Sequence, residues 1–215
     1  RLYSGQESAS ELAEVTKRKA KKATGDEKLK LLLQLGQLTA EGLGDNAAAI
    51  DAYKQVIELQ PKNLAAWEAL DRLYSREKRA EELASVLSSL AELVKAEAPT
   101  RRLELLLRRA AIFEDLLKDV PRAIDSYSDL LADNPQDPGA VAGLERMLAR
   151  PESRDGAARL LEDVYRAAGD SRRLVEVLEM RLESADGAER VPLLAEVTAL
   201  HERLGQKPQA FMAKL

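Results

Sequence analysis

The sequence predicts an all-α protein, an array of about twelve antiparallel helices. Three observations carry that expectation. Composition is that of helix formers: 45% hydrophobic, 33% charged and only 4% aromatic, with Ala, Leu, Glu, Arg and Lys dominant. Apolar residues recur at helical spacing, as in Leu83, Val86, Leu87, Leu90, Leu93 and Val94, or Leu174, Val177, Leu178 and Leu182, which gives each helix one dry side. Finally, the chain repeats itself. Ala49-Ile50-Asp51-Ala52-Tyr53 returns as Ala123-Ile124-Asp125-Ser126-Tyr127, Leu31-Leu32-Leu33 as Leu105-Leu106-Leu107, Pro61 as Pro135 and Asn63 as Asp137, all displaced by 74 residues.

A weaker third copy sets Leu193-Leu194 and Ala210-Phe211 in the relation of Leu106-Leu107 and Ala123-Ile124, now displaced by 87, a growth of 13 residues. The helix around Leu12-Ala13-Glu14-Val15 echoes in Leu83-Ala84-Ser85-Val86 and in Leu174-Val175-Glu176-Val177. Leu32, Leu35, Gly36, Ala49, Tyr53, Val56 and Pro61, and again Leu106, Ala110, Phe113, Ala123, Tyr127, Leu130 and Pro135, follow one pattern of small, aromatic and helix-stopping positions. This pattern resembles the tetratricopeptide repeat, as found in long bacterial proteins of that kind. Half of 74 is 37, close to one helix pair of that family with a slightly longer loop, so the resemblance implies that each long unit is two pairs. Trp67, Leu70, Tyr74, Leu83, Leu87 and Leu90 give a degenerate version. The resemblance implies a right-handed α-solenoid, one superhelical domain over residues 1–215, read as a fragment of a longer protein. Asp71 and Glu145 stand where the family has Gly, and Arg109 where it has an apolar residue, so alternate pairs are expected to pack at a different angle.

Taken in order, helices are expected near residues 8–23, 26–43, 46–60, 63–76, 78–96, 99–118, 120–133, 137–149, 155–168, 170–185, 187–204 and 207–215. Ser8 with Glu11 reads as a capping box, Asn63 follows Pro61 as a cap, and Asp137 precedes Pro138 at a first helical position. Gly25, Gly44, Gly169 and Gly205 read as stops. The connections are short, leaving no room for an inserted domain. One irregular segment, Ala149 to Gly156, coincides with the growth of the third copy, and a bend or subdomain joint is expected there.

The chemistry that could be sought is sparse. The 37 acidic and 33 basic residues are interspersed and leave a formal charge of -4, which supplies no field for nucleic acid. No apolar stretch approaches the roughly 18 to 20 residues of a membrane span. There is no Cys, and compartment is left at a cytoplasmic default. Lone His201 reads as a structural, interhelical residue, and no nucleotide-binding or hydrolase string occurs. Adjacent carboxylates such as Glu81 and Glu82, or Glu114 and Asp115, belong to charge-rich helix faces. The run Lys17-Arg18-Lys19-Ala20-Lys21-Lys22 reads as a solvated helix end suited to the C-terminal dipole, and Trp67 as a packing residue. No enzyme, cofactor or metal is expected.

The tetratricopeptide resemblance implies protein binding on the concave side formed by the first helices of each pair. Exposed edges there would carry Lys30, Gln37, Glu68, Arg72, Glu104, Arg108, Arg146, Arg159, Asp163 and Arg166. Leu33 and Leu107 stand where a carboxylate-gripping Lys would be, so a C-terminal clamp is not expected. An Arg-rich surface suits an acidic, amphipathic segment or a folded partner. Small regulatory GTPases are partners of some such arrays, though nothing in these residues selects one. The expected function is a non-enzymatic interaction scaffold, with self-assembly through end helices as the alternative. Reversing Arg72, Arg146 and Arg166 is the test of the first.

Overall fold

The structure, a computed structural model, describes residues 2–206, with side chains from Glu7 onward. Among the described residues there are eleven α-helices and no strand: α1 (Leu2–Lys22), α2 (Gly25–Gln37), α3 (Asn46–Leu59), α4 (Leu64–Glu77), α5 (Ala80–Val94), α6 (Pro99–Ala111), α7 (Val120–Asp133), α8 (Pro138–Met147), α9 (Pro151–Ala168), α10 (Ser171–Ser184) and α11 (Gly187–Arg203). Six-residue π-helical turns, Leu38–Leu43 and Ile112–Leu117, continue α2 and α6. The all-α repeat expectation is met. The twelfth expected helix, with Ala210-Phe211 of the third copy, lies outside the described residues.

Two starts differ from the sequence pattern. α1 begins at Leu2, so Ser8 and Glu11 lie inside it and not at its start. Pro151 opens α9 instead of interrupting the chain, because its fixed φ and missing N–H suit the first helical turn. Most of the segment from 149 to 156 is therefore helix.

Side-chain caps set the other starts. Asn63 accepts from the Ala66 amide at 3.0 Å and Asp137 from the Ala140 amide at 2.9 Å, as the sequence suggests. Asp45, Asp119 and Asp170 cap α3, α7 and α10 in the same manner. The Arg122 amide, and then its guanidinium, hold the Asp119 carboxyl below its ordinary pKa.

The stops obey the 74-residue repeat with one exchange of residue. Gly44 closes the first π turn in the left-handed region at φ 68°, and its copy at the second turn is Lys118 at φ 54°. An L side chain there costs about 1–2 kcal/mol, partly offset by the lower entropy of the unfolded chain. Lys118→Gly is therefore expected to stabilise the protein by about 1 kcal/mol, and Gly44→Ala to destabilise it similarly. Urea denaturation of the two variants beside the parent checks both signs.

The chain divides into two compact units between Leu105 and Leu106, within α6. In the first unit, α1 lays a narrow face of Ala13, Thr16 and Ala20 on α2, and α3 packs on the same helix through Ala49, Ala52, Tyr53 and Val56. Gly36 admits the Tyr53 ring, since a methyl there would lie 2.7 Å from the ring's Cζ. The hairpin of α4 and α5 buries Leu70, Leu73 and Tyr74 against Leu83, Leu87 and Leu90.

In the second unit the copy of Gly36 is Ala110, fully buried, and the copy of Tyr53 is Tyr127, whose ring rests on Gly143 of α8. Glu145, which stands at the family's Gly position, is exposed, and the small residue that receives the aromatic ring lies two places earlier. α9 packs on α7, α8 and α10. Arg166 of α9 meets Glu196 of α11 at 3.0 Å, and Arg173 of α10 meets Glu145 of α8 at 2.8 Å, so alternate helices flank one another through this unit.

Candidate partner-docking surfaces

In the first unit the nominated residues fall into two kinds. Lys30 and Gln37 are exposed on α2, Arg72 on α4 and Glu104 on α6. Glu68 is half-buried and accepts a hydrogen bond from Arg101, so it ties α4 to α6. Gln37 donates to Glu41 at 3.2 Å. Tyr53 lies within electrostatic reach of both Arg72 and Glu41: burial raises its phenol pKa, Arg72 opposes the rise and Glu41 adds to it. Gln37, Glu41 and Arg72 thus gather around one buried tyrosine. Lys30 and Arg72 form no ion pair among the described residues.

The second unit tells a different story for its arginines. Arg146 reaches Glu114 at 3.2 Å, where Arg150 also points, at 3.6 Å. Glu114 keeps only 1% of its side-chain surface in water and accepts from the Tyr127 hydroxyl at 2.7 Å. Burial, and then that bond, push the Tyr127 pKa well above the ordinary phenol range. Arg159 is held by Asp155 at 2.9 Å and Glu189 at 3.3 Å. Arg166 is held by Glu162 at 2.6 Å, Glu196 at 3.0 Å and Asp163 at 3.4 Å. These hydrogen bonds raise both guanidinium pKa values still further. Arg159, Asp163 and Arg166 lie on α9, beside α7 and α11, whereas Arg146 lies on α8; Arg108 is exposed on α6. Arg146, Arg159 and Arg166 thus each pair with carboxylates of the fold while keeping about half of their side-chain surface in water.

Other candidates take structural places. His201 is buried, with Nε2 2.9 Å from Glu179 of α10 and Nδ1 2.8 Å from Gln206, the interhelical position its spacing suggests. Trp67 is half-buried and donates to the Pro61 carbonyl at 2.8 Å. Leu107 packs over Gly139, where a methyl would lie 2.7 Å from its Cδ2. Arg109, in an apolar position of the pattern, donates to Ser126 at 3.1 Å and to Asp129 at 2.5 Å on α7. Tyr165 donates to Glu145 at 2.7 Å, and burial together with that bond brings its pKa up to about 12. Among the described residues no group of three or more His, Asp or Glu is placed to hold a metal ion, and no helix is long and apolar enough to cross a membrane.

One concavity in the first unit escaped the sequence reading. A cleft of about 510 Å³ separates α1 from α3, with Leu32 and Leu35 of α2 on its floor. Lys17 and Lys21, two members of the basic run, line it together with Lys28. The signal was present: Ala13, Lys17, Ala20 and Lys21 share one face of a helix. On another face of α1, Leu12 and Val15 stay exposed at 56% and 47%.

Residues 30–63 match a family model described as a tetratricopeptide repeat, and this segment spans most of α2, its π turn and all of α3. No curated protein matches the chain. Solved structures similar to it include the MamA protein, at 17% identity and TM-score 0.40, covering 88% of this chain and 89% of that one. A tetratricopeptide repeat protein from Parabacteroides merdae is similar at 17% identity and TM-score 0.35, covering 86% and 77%. YrrB, described as a TPR protein with an unusual peptide-binding site, is similar at 10% identity and TM-score 0.36, covering 85% and 81%. Likenesses this distant carry no argument about a site. With the matched segment and the helix order around it, the chain is an all-α, tetratricopeptide-like helical-repeat protein.

Proposed function

We propose that the chain is a non-enzymatic scaffold that holds a protein partner on the exposed face of α2 and α4 in its first unit. The observation that carries this reading is the grouping of Gln37, Glu41 and Arg72 around Tyr53, on and beside the repeat that matches the family model. Lys30 continues the exposed side of α2. Among the described residues Arg72 and Lys30 make no ion pair, so their charges stay available for a partner carrying carboxylates, which suits an acidic segment or an acidic face of a folded protein.

The experiment is capture of partners with the 215-residue chain as bait, followed by Lys30→Glu with Arg72→Glu. Both side chains are exposed, so the melting temperature should stay close to the parent's. Recovery of the captured partner should fall by about tenfold or more and the residual binding should lose its salt dependence. Undiminished capture by a folded variant sinks the placement on this face.

A further inference from the structure

We propose that the uncovered face of the α1–α2 hairpin docks an amphipathic helix of a partner protein, one with the residue pattern of this chain's own α9. The inference rests on the scaffold reading, but its surface is that of Leu12, Val15, Lys19 and Glu27 and not that of Lys30 and Arg72.

The chain holds a template for this face. α10 and α11 repeat α1 and α2 at a displacement of 162 residues: α10 ends at Ser184 as α1 ends at Lys22, and α11 opens at Gly187 as α2 opens at Gly25. Leu174, Val177, Arg181 and Glu189 of the later hairpin stand at the places of Leu12, Val15, Lys19 and Glu27 in the earlier one. In the later hairpin these residues hold α9. Leu174 and Val177 are 5% and 2% exposed beside it, Arg181 is bonded to its Glu162, and Glu189 meets its Arg159 at 3.3 Å. In the earlier hairpin α1 packs on α2 and its π turn through Ala13, Thr16 and Ala20, and the same row is bare. Leu12 and Val15 keep more than 45% of their surface in water, and Lys19 and Glu27 are exposed. Beside the row a trough of about 550 Å³ is lined by Leu12, Thr16, Gln34 and Leu38, together with Gln37 and Glu41, which it shares with the face of α2 and α4.

The pattern dictates the chemistry of the occupant. A carboxylate is needed against Lys19, as Glu162 serves Arg181, and a cation three residues before it against Glu27, as Arg159 serves Glu189, with an apolar residue such as Leu161 between them. The sign at Glu27 is selective. At the same place α6 has Arg101, and the helix that meets it, α4, has Glu68 where α9 has Arg159. Gln34 and Glu11 stand where the later hairpin has Glu196 and Arg173, so the contacts of Arg166 and Tyr165 with those two residues are not required of the partner. α9 reaches α10 through a turn at Gly169 and Asp170, whose counterparts, Glu7 and Ser8, are helical in α1. No hairpin turn delivers a covering helix at this place, and the α9 of a second copy is already packed on its own α10, which leaves a separate protein as the source.

The test uses the 215-residue chain and fluorescein-labelled peptides with the sequences of α9, residues 151–168, and α4, residues 64–77. By anisotropy the α9 peptide should bind in a salt-sensitive manner, and the α4 peptide, which sets Glu68 against Glu27, about tenfold more weakly. An α9 peptide with Arg159→Glu and Glu162→Lys should also bind about tenfold more weakly, and the chain with Lys19→Glu and Glu27→Lys should reverse that preference. Exchange with the chain's own α9 would be blind to those two changes, because α9 meets Arg181 and Glu189. Leu12→Asp with Val15→Asp should leave the melting temperature close to the parent's and reduce α9-peptide affinity by at least about tenfold, whereas Arg72→Glu should leave affinity unchanged. No binding of the α9 peptide up to about 1 mM, equal binding of the α9 and charge-exchanged peptides, or indifference to the Leu12 and Val15 changes overturns the proposal. Loss of binding on Arg72→Glu moves the peptide to the face of α2 and α4, which overturns this site while leaving the scaffold reading intact. Conversely, peptide binding on α1 alongside failure of the Lys30 and Arg72 test overturns that face alone. A dimer in light scattering that Leu12→Asp with Val15→Asp dissociates makes a second copy the occupant and likewise overturns the proposal.

Discussion

Gly143→Ala is expected to destabilise the protein by about 3 kcal/mol, against the usual gain of roughly 1 kcal/mol for Gly→Ala inside a helix. The added methyl would lie 2.3 Å from both Cζ and the hydroxyl of Tyr127. That ring cannot step aside cheaply: it is 0% exposed, and its hydroxyl is bonded to buried Glu114. Moving it breaks the bond and leaves buried Glu114 with Arg146, at 3.2 Å, as the one hydrogen-bond donor to Oε2, while Oε1 already lacks a hydrogen-bond partner. Gly156→Ala is the control, because its methyl would meet Ile124 no closer than 3.4 Å. In urea titrations the two variants should move in opposite directions or differ by at least about 2 kcal/mol, and shortening Tyr127 to Leu should make the Gly143 effect less than additive. Equal stability of the two alanine variants removes the basis for the close approach.

Arg146→Glu is expected to cost about 2–3 kcal/mol of stability, toward the lower end for a pair with a buried carboxylate because the Arg146 side chain keeps 57% of its surface in water. Reversal sets a carboxylate beside Glu114, whose own is out of water, and leaves Arg150, at 3.6 Å, as the remaining cation. Glu114→Gln should cost less, about 1–2 kcal/mol, because an amide oxygen can still accept from Tyr127. The ordering of the two, read from chemical denaturation, separates a buried charge problem from a lost hydrogen bond. It also bears on mapping: a binding assay on Arg146→Glu would report unfolding as lost recognition, whereas Arg72→Glu reports the surface.

Much of the fold was legible in the sequence because helix ends and repeats have local signals. Asn63, Asp137 with Pro138, Gly44 and Gly169 each announce a cap or stop through their own chemistry. Lys78 and Lys118 do not, since a lysine in the left-handed region is held there by the hydrogen bonds of the turn and not by preference. Gly143 was passed over because its role depends on which neighbouring helix Tyr127 leans toward, and one methyl at Ala110 accompanies that choice. The candidate site was legible only as a set of exposed-looking charges. Arg159 and Arg166 find Glu189 and Glu196 thirty residues away, a pairing fixed by the register between α9 and α11 and invisible to a reading of one helix at a time. The lysine-edged cleft was missed for the opposite reason: the basic run was read along the chain, while two of its members turn to one side.

The two π turns are a matched pair. Leu38–Leu43 and Ile112–Leu117 lie 74 residues apart, and each closes through the same bond, from the Asp45 amide to the Thr39 carbonyl and from the Asp119 amide to the Phe113 carbonyl, both at 2.9 Å. A π turn is an α-helix that has taken in one additional residue without losing its continuity. Its presence at the same place in both copies shows that the 74-residue repeat extends to backbone geometry where the residues themselves differ, Thr39 standing against Phe113 and Gly42 against Leu116, whereas α11, the corresponding helix of the third copy, is α-helical as far as Arg203.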